Sequence, residues 1–197
     1  SKETFVFEWI DREPKISLNR SFSAPIRVYS DMIDPVFLMQ HETDGFARYE
    51  VAQKYAISII WDIIDGKWVS DEFIAAFGPL LSIPEDRLYQ SLLIQIPTLT
   101  TLAWEYEGPI DFDILSNARN TLIIAILWAH ESKIRDLYKN LCNQLPIAES
   151  ISLFEIGTRA YIMSILDILS FSDTRDSMIS LAEEQYRRSK TMTLRLA

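Results

Sequence analysis

The sequence has little glycine, a single cysteine and few histidines, and each shortage excludes a class of protein. It contains 5 glycines in 197 residues, whereas average glycine usage is about 7%. It carries no GxGxxG or GxxxxGK[ST] loop, so the common nucleotide-binding folds are excluded. Since Cys142 is the only cysteine, no internal disulfide can form. The chain is compatible with a reducing compartment, and we expect a cytoplasmic location.

Basic charge and long apolar runs are also scarce. The formal net charge is −9, which argues against nucleic acid because phosphate binding needs clustered Lys and Arg. The longest apolar stretch, residues 122–129, is far shorter than the roughly 20 residues that span a bilayer. The first residues, SKETFVFEWI, do not resemble a secretory signal. We therefore expect neither nucleic acid nor a membrane as a partner.

The residues that are present predict helices from Ile33 onward. Asp34 before Pro35 is typical of an N-cap followed by proline in the first turn, and Asp44 is a second candidate cap. The helix after Asp44 has an apolar face at three- and four-residue spacing, made by Tyr49, Ala52, Ala56, Ile59, Ile60 and Ile63. Gly66 is a candidate C-terminal stop for this helix.

Later helix starts follow the same logic. Ser82 and Ser152 each precede a glutamate by three residues, as in a capping box. Asp111 opens a long helical stretch that reaches Cys142 with or without a break, and Ser172 or Asp173 opens the last helix. About seven or eight helices with short connections indicate stacked helix hairpins of the HEAT or armadillo type.

The first thirty residues follow a different pattern. Aromatic and aliphatic residues recur at every second position, which favours β-strands; they are Phe5, Phe7 and Trp9, then Ile16, Leu18 and Phe22. We predict two or three short strands here, with a domain boundary between residues 1–30 and 31–197. Because such strands are not stable alone, we expect them to dock on the helices or to form a homodimer.

No catalytic or metal-binding set is predicted within the chain. A helical HExxH zinc site needs two histidines four residues apart. The positions four residues after His41 and His130 hold Gly45 and Ile134. Cys142 has no histidine close in sequence, and a half-buried structural thiol is the favoured interpretation. We predict no catalytic residue, no cofactor ligand and no metal ligand.

Acidic and aromatic clusters allow two interpretations each. The acidic set comprises Glu105, Glu107, Asp111 and Asp113. It suits acid–base chemistry or a cation, but helix capping and first-turn charge explain it better. The tryptophans at 61, 68, 104 and 128 are more often core residues than a ligand cage.

One segment carries a family resemblance. Ser17-Leu18-Asn19-Arg20 and Phe22-Ser23-Ala24-Pro25 resemble SLNRGFSAP, a signature of the aminopeptidase N family of zinc gluzincins. Ser21 stands where the family usually has glycine. Further matches follow in order along the chain: Phe37, Leu38, Asp44, Phe46, Arg48, Glu50, Gln53, Ile110, Asp111, Ile114, Ala118, Arg119, Leu122, Gln185, Tyr186, Ser189, Met192, Thr193 and Arg195 to Ala197. Tyr49 stands where the family has tryptophan, and Leu194 where it usually has aspartate.

The resemblance implies a fold and a function. The strands would be the end of a β-sandwich domain, and the helices the first part of a helical C-terminal domain. The parent enzyme would use zinc to remove N-terminal residues from peptides. The zinc and substrate-amine motifs would lie in an upstream catalytic domain of the same polypeptide. This chain would be non-catalytic, packing on that domain and restricting access to an enclosed cavity. The alternative is a free-standing helical-repeat scaffold that binds a protein partner.

Overall fold

The protein is mainly helical in its computed structural model. The structure describes residues 4, 6, 8–11, 14–26, 28, 30, 32–82, 84, 86–106, 108–109, 111–145, 152–172, 175–189 and 192–195. The α-helices, in chain order, are α1 (Pro35–His41), α2 (Gly45–Ile64), α3 (Asp71–Phe77), α4 (Arg87–Leu93), α5 (Leu99–Glu105), α6 (Phe112–Asn143), α7 (Leu153–Leu169), α8 (Arg175–Arg188) and α9 (Met192–Arg195).

Most predicted helix boundaries are confirmed. The side chains of Asp34, Asp44, Asp111 and Ser152 each accept a hydrogen bond from a backbone N–H in the first turn of the helix that follows. This satisfies donors that have no partner within the helix. Gly66 follows the end of α2 with φ of 82°, a conformation that glycine adopts without strain. Helix α6 runs unbroken to Asn143.

The predicted start at Ser82 is wrong. The helix begins at Arg87, where the Asp86 carboxylate accepts the N–H of Tyr89 at 2.9 Å. Ser82 lies in the preceding turn, and its carbonyl accepts the Tyr161 hydroxyl at 2.7 Å. A carboxylate is the stronger acceptor at a helix N-terminus. Helices α3 and α5 were not predicted from the sequence.

The core lies between helices that stack in succession. Helix α4 packs on α7, α7 on α6, α6 on α2, and both α2 and α3 on α1. The largest side chains with almost no exposed surface are Tyr161, Phe73, Met39, Ile60, Leu80, Leu93, Ile94, Leu102, Leu115, Leu122, Ile123 and Ile126. They come from helices spread along the chain, so the predicted apolar faces meet in one continuous core.

The predicted strands are not confirmed. No described residue is in a strand, and Phe5 and Phe7 lie outside the described residues. The pattern over Ile16 to Phe22 fails because Asn19, Ser21 and Phe22 have φ of 54°, 57° and 49°. A strand needs strongly negative φ. The chain therefore makes a left-handed turn where the alternation predicted a strand.

Among the described residues, no helix combines the length and apolarity that crossing a membrane requires.

The prediction that the tryptophans are core residues is wrong for three of them. Trp68, Trp104 and Trp128 are 94%, 81% and 72% exposed. Trp128 directly follows buried Leu127, but one step along a helix of about 3.6 residues per turn rotates a side chain away from its neighbour.

Candidate functional site: the junction at the start of the helical domain

The segment that carries the family resemblance folds as a left-handed turn. The Asn19 side-chain oxygen accepts the Ala24 N–H at 3.0 Å and the Ser23 hydroxyl at 3.3 Å. Asn is one of the few residues that adopts the left-handed region readily. Ser21 adopts φ of 57° and ψ of 26°. The glycine-type geometry is therefore present although the residue is serine.

Glu42 is the acceptor at the centre of the junction. It lies just after α1, and its side chain is only 4% exposed. It receives hydrogen bonds from the Ser17 hydroxyl and, at 2.8 Å, from the Asp44 N–H, and it pairs with Arg20 at 3.2 Å. Burial alone raises the pKa of a carboxyl. The hydrogen bonds and the Arg20 charge outweigh burial, so the pKa of Glu42 lies below its usual range.

Asp44 joins the turn to the second helix. One carboxylate oxygen caps α2 by accepting the Ala47 N–H at 2.8 Å, and the other accepts the Ser21 hydroxyl at 2.9 Å. The pKa of Asp44 is lowered, first by the Ser21 backbone N–H and then by that of Ala47. Arg20 adds a 2.8 Å hydrogen bond to the hydroxyl of Thr43.

Aromatic and lysine contacts extend the junction on both sides. The Phe22 and Phe46 rings have centroids 4.9 Å apart. Lys15 pairs with Asp34 at 2.7 Å, and Lys54 donates to the carbonyl of Val28 at 3.1 Å. Two separate pieces of the resemblance, LNRSFSAP and the D.F.R pattern after α1, are thus brought together. No local sequence pattern predicted that these two segments pair.

Some of the other matched residues also hold segments in place. Three of them donate to backbone carbonyls of other segments: Arg48 to Met39 at 2.7 Å, Gln53 to Gln95 at 2.8 Å and Arg119 to Pro97 at 2.9 Å. Carbonyls in irregular segments need such partners when water is excluded. These three residues therefore join separate segments of the fold.

The residues considered for metal binding or nucleophilic chemistry have structural surroundings. His41 stacks on Phe37, with ring centroids 4.7 Å apart. The Nε2 of His130 lies 2.9 Å from the carbonyl of Ile74. Cys142 is half-buried, and burial raises the pKa of its thiol, which disfavours the nucleophilic thiolate. The described residues contain no group of three or more His, Cys, Asp or Glu side chains placed to hold a metal ion.

Two residues of the acidic cluster lie at a helix start. Asp111 is the N-cap of α6 and accepts the Asp113 N–H at 2.8 Å. Glu107 lies outside the described residues. The capping interpretation of Asp111 is therefore confirmed.

A second polar cluster, which the sequence analysis missed, lies between α4, α6 and α7. Arg87 is 7% exposed and donates to the Thr158 hydroxyl at 2.7 Å and to the side-chain oxygen of Gln144. Its guanidinium carbon is 4.0 Å from the centroid of the Phe154 ring. A β-carbon at Gly157 would lie 2.9 Å from the backbone nitrogen of Leu88, so this glycine permits the close approach of α4 and α7.

Comparison with known proteins identifies the helical part. Residues 33–197 match a family described as a domain of unknown function, DUF3458_C, made of ARM repeats. The structure resembles Legionella pneumophila aminopeptidase A, solved in complex with aspartic acid, with a TM-score of 0.76 and 26% sequence identity. The match covers 90% of this chain and 22% of the Legionella chain, so this chain spans about a fifth of that relative's length.

Proposed function

Because the chain belongs to the DUF3458_C family of ARM-repeat domains, which form the C-terminal domain of aminopeptidases, we propose that it is the non-catalytic helical domain of a zinc aminopeptidase. The parent enzyme would remove N-terminal residues from peptides. Zinc would be held by an upstream catalytic domain of the same polypeptide, where it would polarise the scissile carbonyl. The observation that carries this proposal is the match to the Legionella enzyme over 90% of the chain.

The junction supports a division into two parts. We propose that residues 1–30 are the end of a preceding β-sandwich domain and that 31–197 form the helical domain. Ser17, Arg20 and Ser21 attach the first part to the acidic residues after α1. The Asn19 side-chain nitrogen is buried without a hydrogen-bond partner among the described residues. A carbonyl from a preceding domain would satisfy this donor.

We also propose that the helical domain restricts the access of substrates. It would require the helical domain to sit over the catalytic cavity, with the junction as the fixed connection. The test compares the parent enzyme with and without residues 31–197 on an aminoacyl-anilide and on a long peptide. We expect removal to favour the long peptide. An unchanged ratio of kcat/KM values for the two substrates, in a folded truncated enzyme, would refute restricted access.

The non-catalytic assignment is tested with this chain alone. A catalytic zinc takes about three protein ligands and keeps one position open. We therefore expect no tightly held zinc after dialysis and no hydrolysis of aminoacyl-anilides. One zinc per chain that is lost in His41→Ala or His130→Ala would contradict the assignment. We also propose a cytoplasmic location, which cell fractionation would test.

The homodimer remains a prediction. Docking of residues 14–26 on the helices covers part of the surface for which a dimer was predicted. Val6 and Trp9 stay 78% and 96% exposed, and a preceding domain would cover them in the parent enzyme. Sedimentation of the chain alone and of the Trp9→Ser variant tests the dimer.

A further inference from the structure

Arg87 is a buried cation whose described partners are all neutral. Its side chain contacts the hydroxyl of Thr158, the amide of Gln144 and the ring of Phe154. Within the described part of the chain, no carboxylate lies within ion-pair distance of it. Its Nε is buried and has no hydrogen-bond partner among the residues that the structure describes.

Two other poorly exposed arginines of the protein have acidic partners. Arg159, whose side chain is 13% exposed, lies 3.4 Å from Glu155, and Arg119, at 16%, lies 3.7 Å from Asp167. Buried charges are normally paired because desolvation is costly. At Arg87 burial lowers the pKa, with no charge offsetting it. An anion is therefore the missing element of this cluster.

The surroundings leave a route to the guanidinium. Gln144 lies at the C-terminus of α6 and its side chain is exposed. Phe154, on the other side, is 49% exposed. The last carbonyls of α6 supply partial negative charge, which keeps the cation tolerable while no anion is bound. Rotation of the Gln144 side chain would open the edge of the guanidinium without disturbing the core.

We propose that Arg87 is a binding site for a carboxylate, which enters between Gln144 and Phe154 and replaces the Gln144 amide as acceptor. A carboxylate matches the planar fork of a guanidinium and takes two parallel hydrogen bonds from it. The Phe154 ring covers one face of the guanidinium and excludes water from that side. The carboxylate comes from another molecule, and acetate is its simplest probe.

The first experiment follows the Nε–H of Arg87 by NMR in the whole chain. Sodium acetate is the probe, and sodium chloride at equal ionic strength is the control. We expect a saturating shift of the Arg87 signal with acetate only. The Nε–H of Arg119 donates to the Pro97 carbonyl and serves as an internal reference. No shift, or equal shifts with acetate and chloride, would overturn the proposal.

The second experiment introduces a carboxylate next to Arg87 by substitution. Gln144→Glu substitutes a carboxylate for the amide that already contacts Arg87. We expect acetate binding to weaken by about tenfold or more and the melting temperature to rise by about 2–4 °C. Asn143→Asp is the matched control, because it adds the same charge at the same helix end, where a negative charge is unfavourable. Equal behaviour of the two variants would contradict the proposal.

Discussion

The junction and the α4–α6–α7 cluster use arginine in opposite ways. At the junction an exposed cation meets a buried anion: the Arg20 side chain is 54% exposed, while that of Glu42 is 4% exposed. In the cluster the cation is buried and its partners are neutral. The Arg20–Glu42 charge pair is complete within the described residues, whereas Arg87 has no anionic partner there. Arg20 therefore connects two segments of the protein, whereas Arg87 can accept a further group.

The junction and the α4–α6–α7 cluster also differ in the interactions that stabilise them. The junction consists of side-chain hydrogen bonds, two ion pairs and one tilted ring pair. Each hydrogen bond or ring contact contributes about 0.5–1.5 kcal/mol. The α4–α7 contact is buried, and its helices contribute Tyr161, Leu93 and Ile165 to the core. The helical domain is therefore expected to remain folded when the junction is broken. The predictions below test this difference from the largest effect to the smallest.

The largest effect is expected from a core aromatic. Phe73→Ala removes a side chain that is 1% exposed and leaves a cavity, so it should lower the free energy of unfolding by about 3–5 kcal/mol. Phe22→Ala removes a ring that is 54% exposed and should cost about 1 kcal/mol or less. Urea unfolding followed by circular dichroism measures both. Equal losses would mean that the junction and the core are one cooperative unit.

The second prediction concerns the close approach of α4 and α7. In Gly157→Ala the new methyl group meets the Leu88 nitrogen at 2.9 Å and the Arg87 β-carbon at 3.3 Å. A backbone atom cannot move aside, so we expect destabilisation of about 1–3 kcal/mol. Gly45→Ala is the control, because its nearest neighbour is the Tyr89 ring at 3.4 Å. The control should stay within about 0.5 kcal/mol of wild type, and a similar loss there would argue against helix–helix crowding.

Local features of the fold were predictable from the sequence, whereas contacts between distant helices were not. Helices with polar caps and apolar faces were predictable because those signals are local, as at Asp34 and Asp44. The close contact at Gly157 and the burial of Arg87 depend on helices about 70 residues apart in sequence, and no local pattern encodes them. The left-handed turn was not predicted because residues 16–22 also show the alternating pattern of a strand. The resemblance located the junction but not the pairing of Ser21 with Asp44.

The third prediction uses acid to open the junction selectively. The pKa of Glu42 is lower in the folded state than its usual value of about 4.3. Stability from its charge is therefore fully present above about pH 4.3 and is lost as the pH falls through the lower folded value. The Asp44 N–H, which donates to Glu42, should then exchange faster with solvent. NMR hydrogen exchange measures this, with the buried amide of Ile60 as the core reference.

Glu42→Gln is the matched variant for that experiment. It keeps the shape but removes the charge that pairs with Arg20, so we expect a loss of about 1–2 kcal/mol at neutral pH. The additional acid sensitivity of the Asp44 amide should disappear. If the variant retains it, another group controls the junction.

The smallest effect concerns the left-handed turn at Ser21. Ser21→Ala keeps a β-carbon at φ of 57° and loses the hydrogen bond to Asp44, so it should cost about 0.5–1 kcal/mol. Ser21→Gly loses the same hydrogen bond but relieves the steric cost of the left-handed conformation, about 1 kcal/mol. The glycine variant should therefore match wild type and exceed the alanine variant in the free energy of unfolding. Since both lack the hydroxyl, their difference isolates the backbone term. If the alanine variant is as stable as the glycine variant, residue 21 does not occupy the left-handed region in solution.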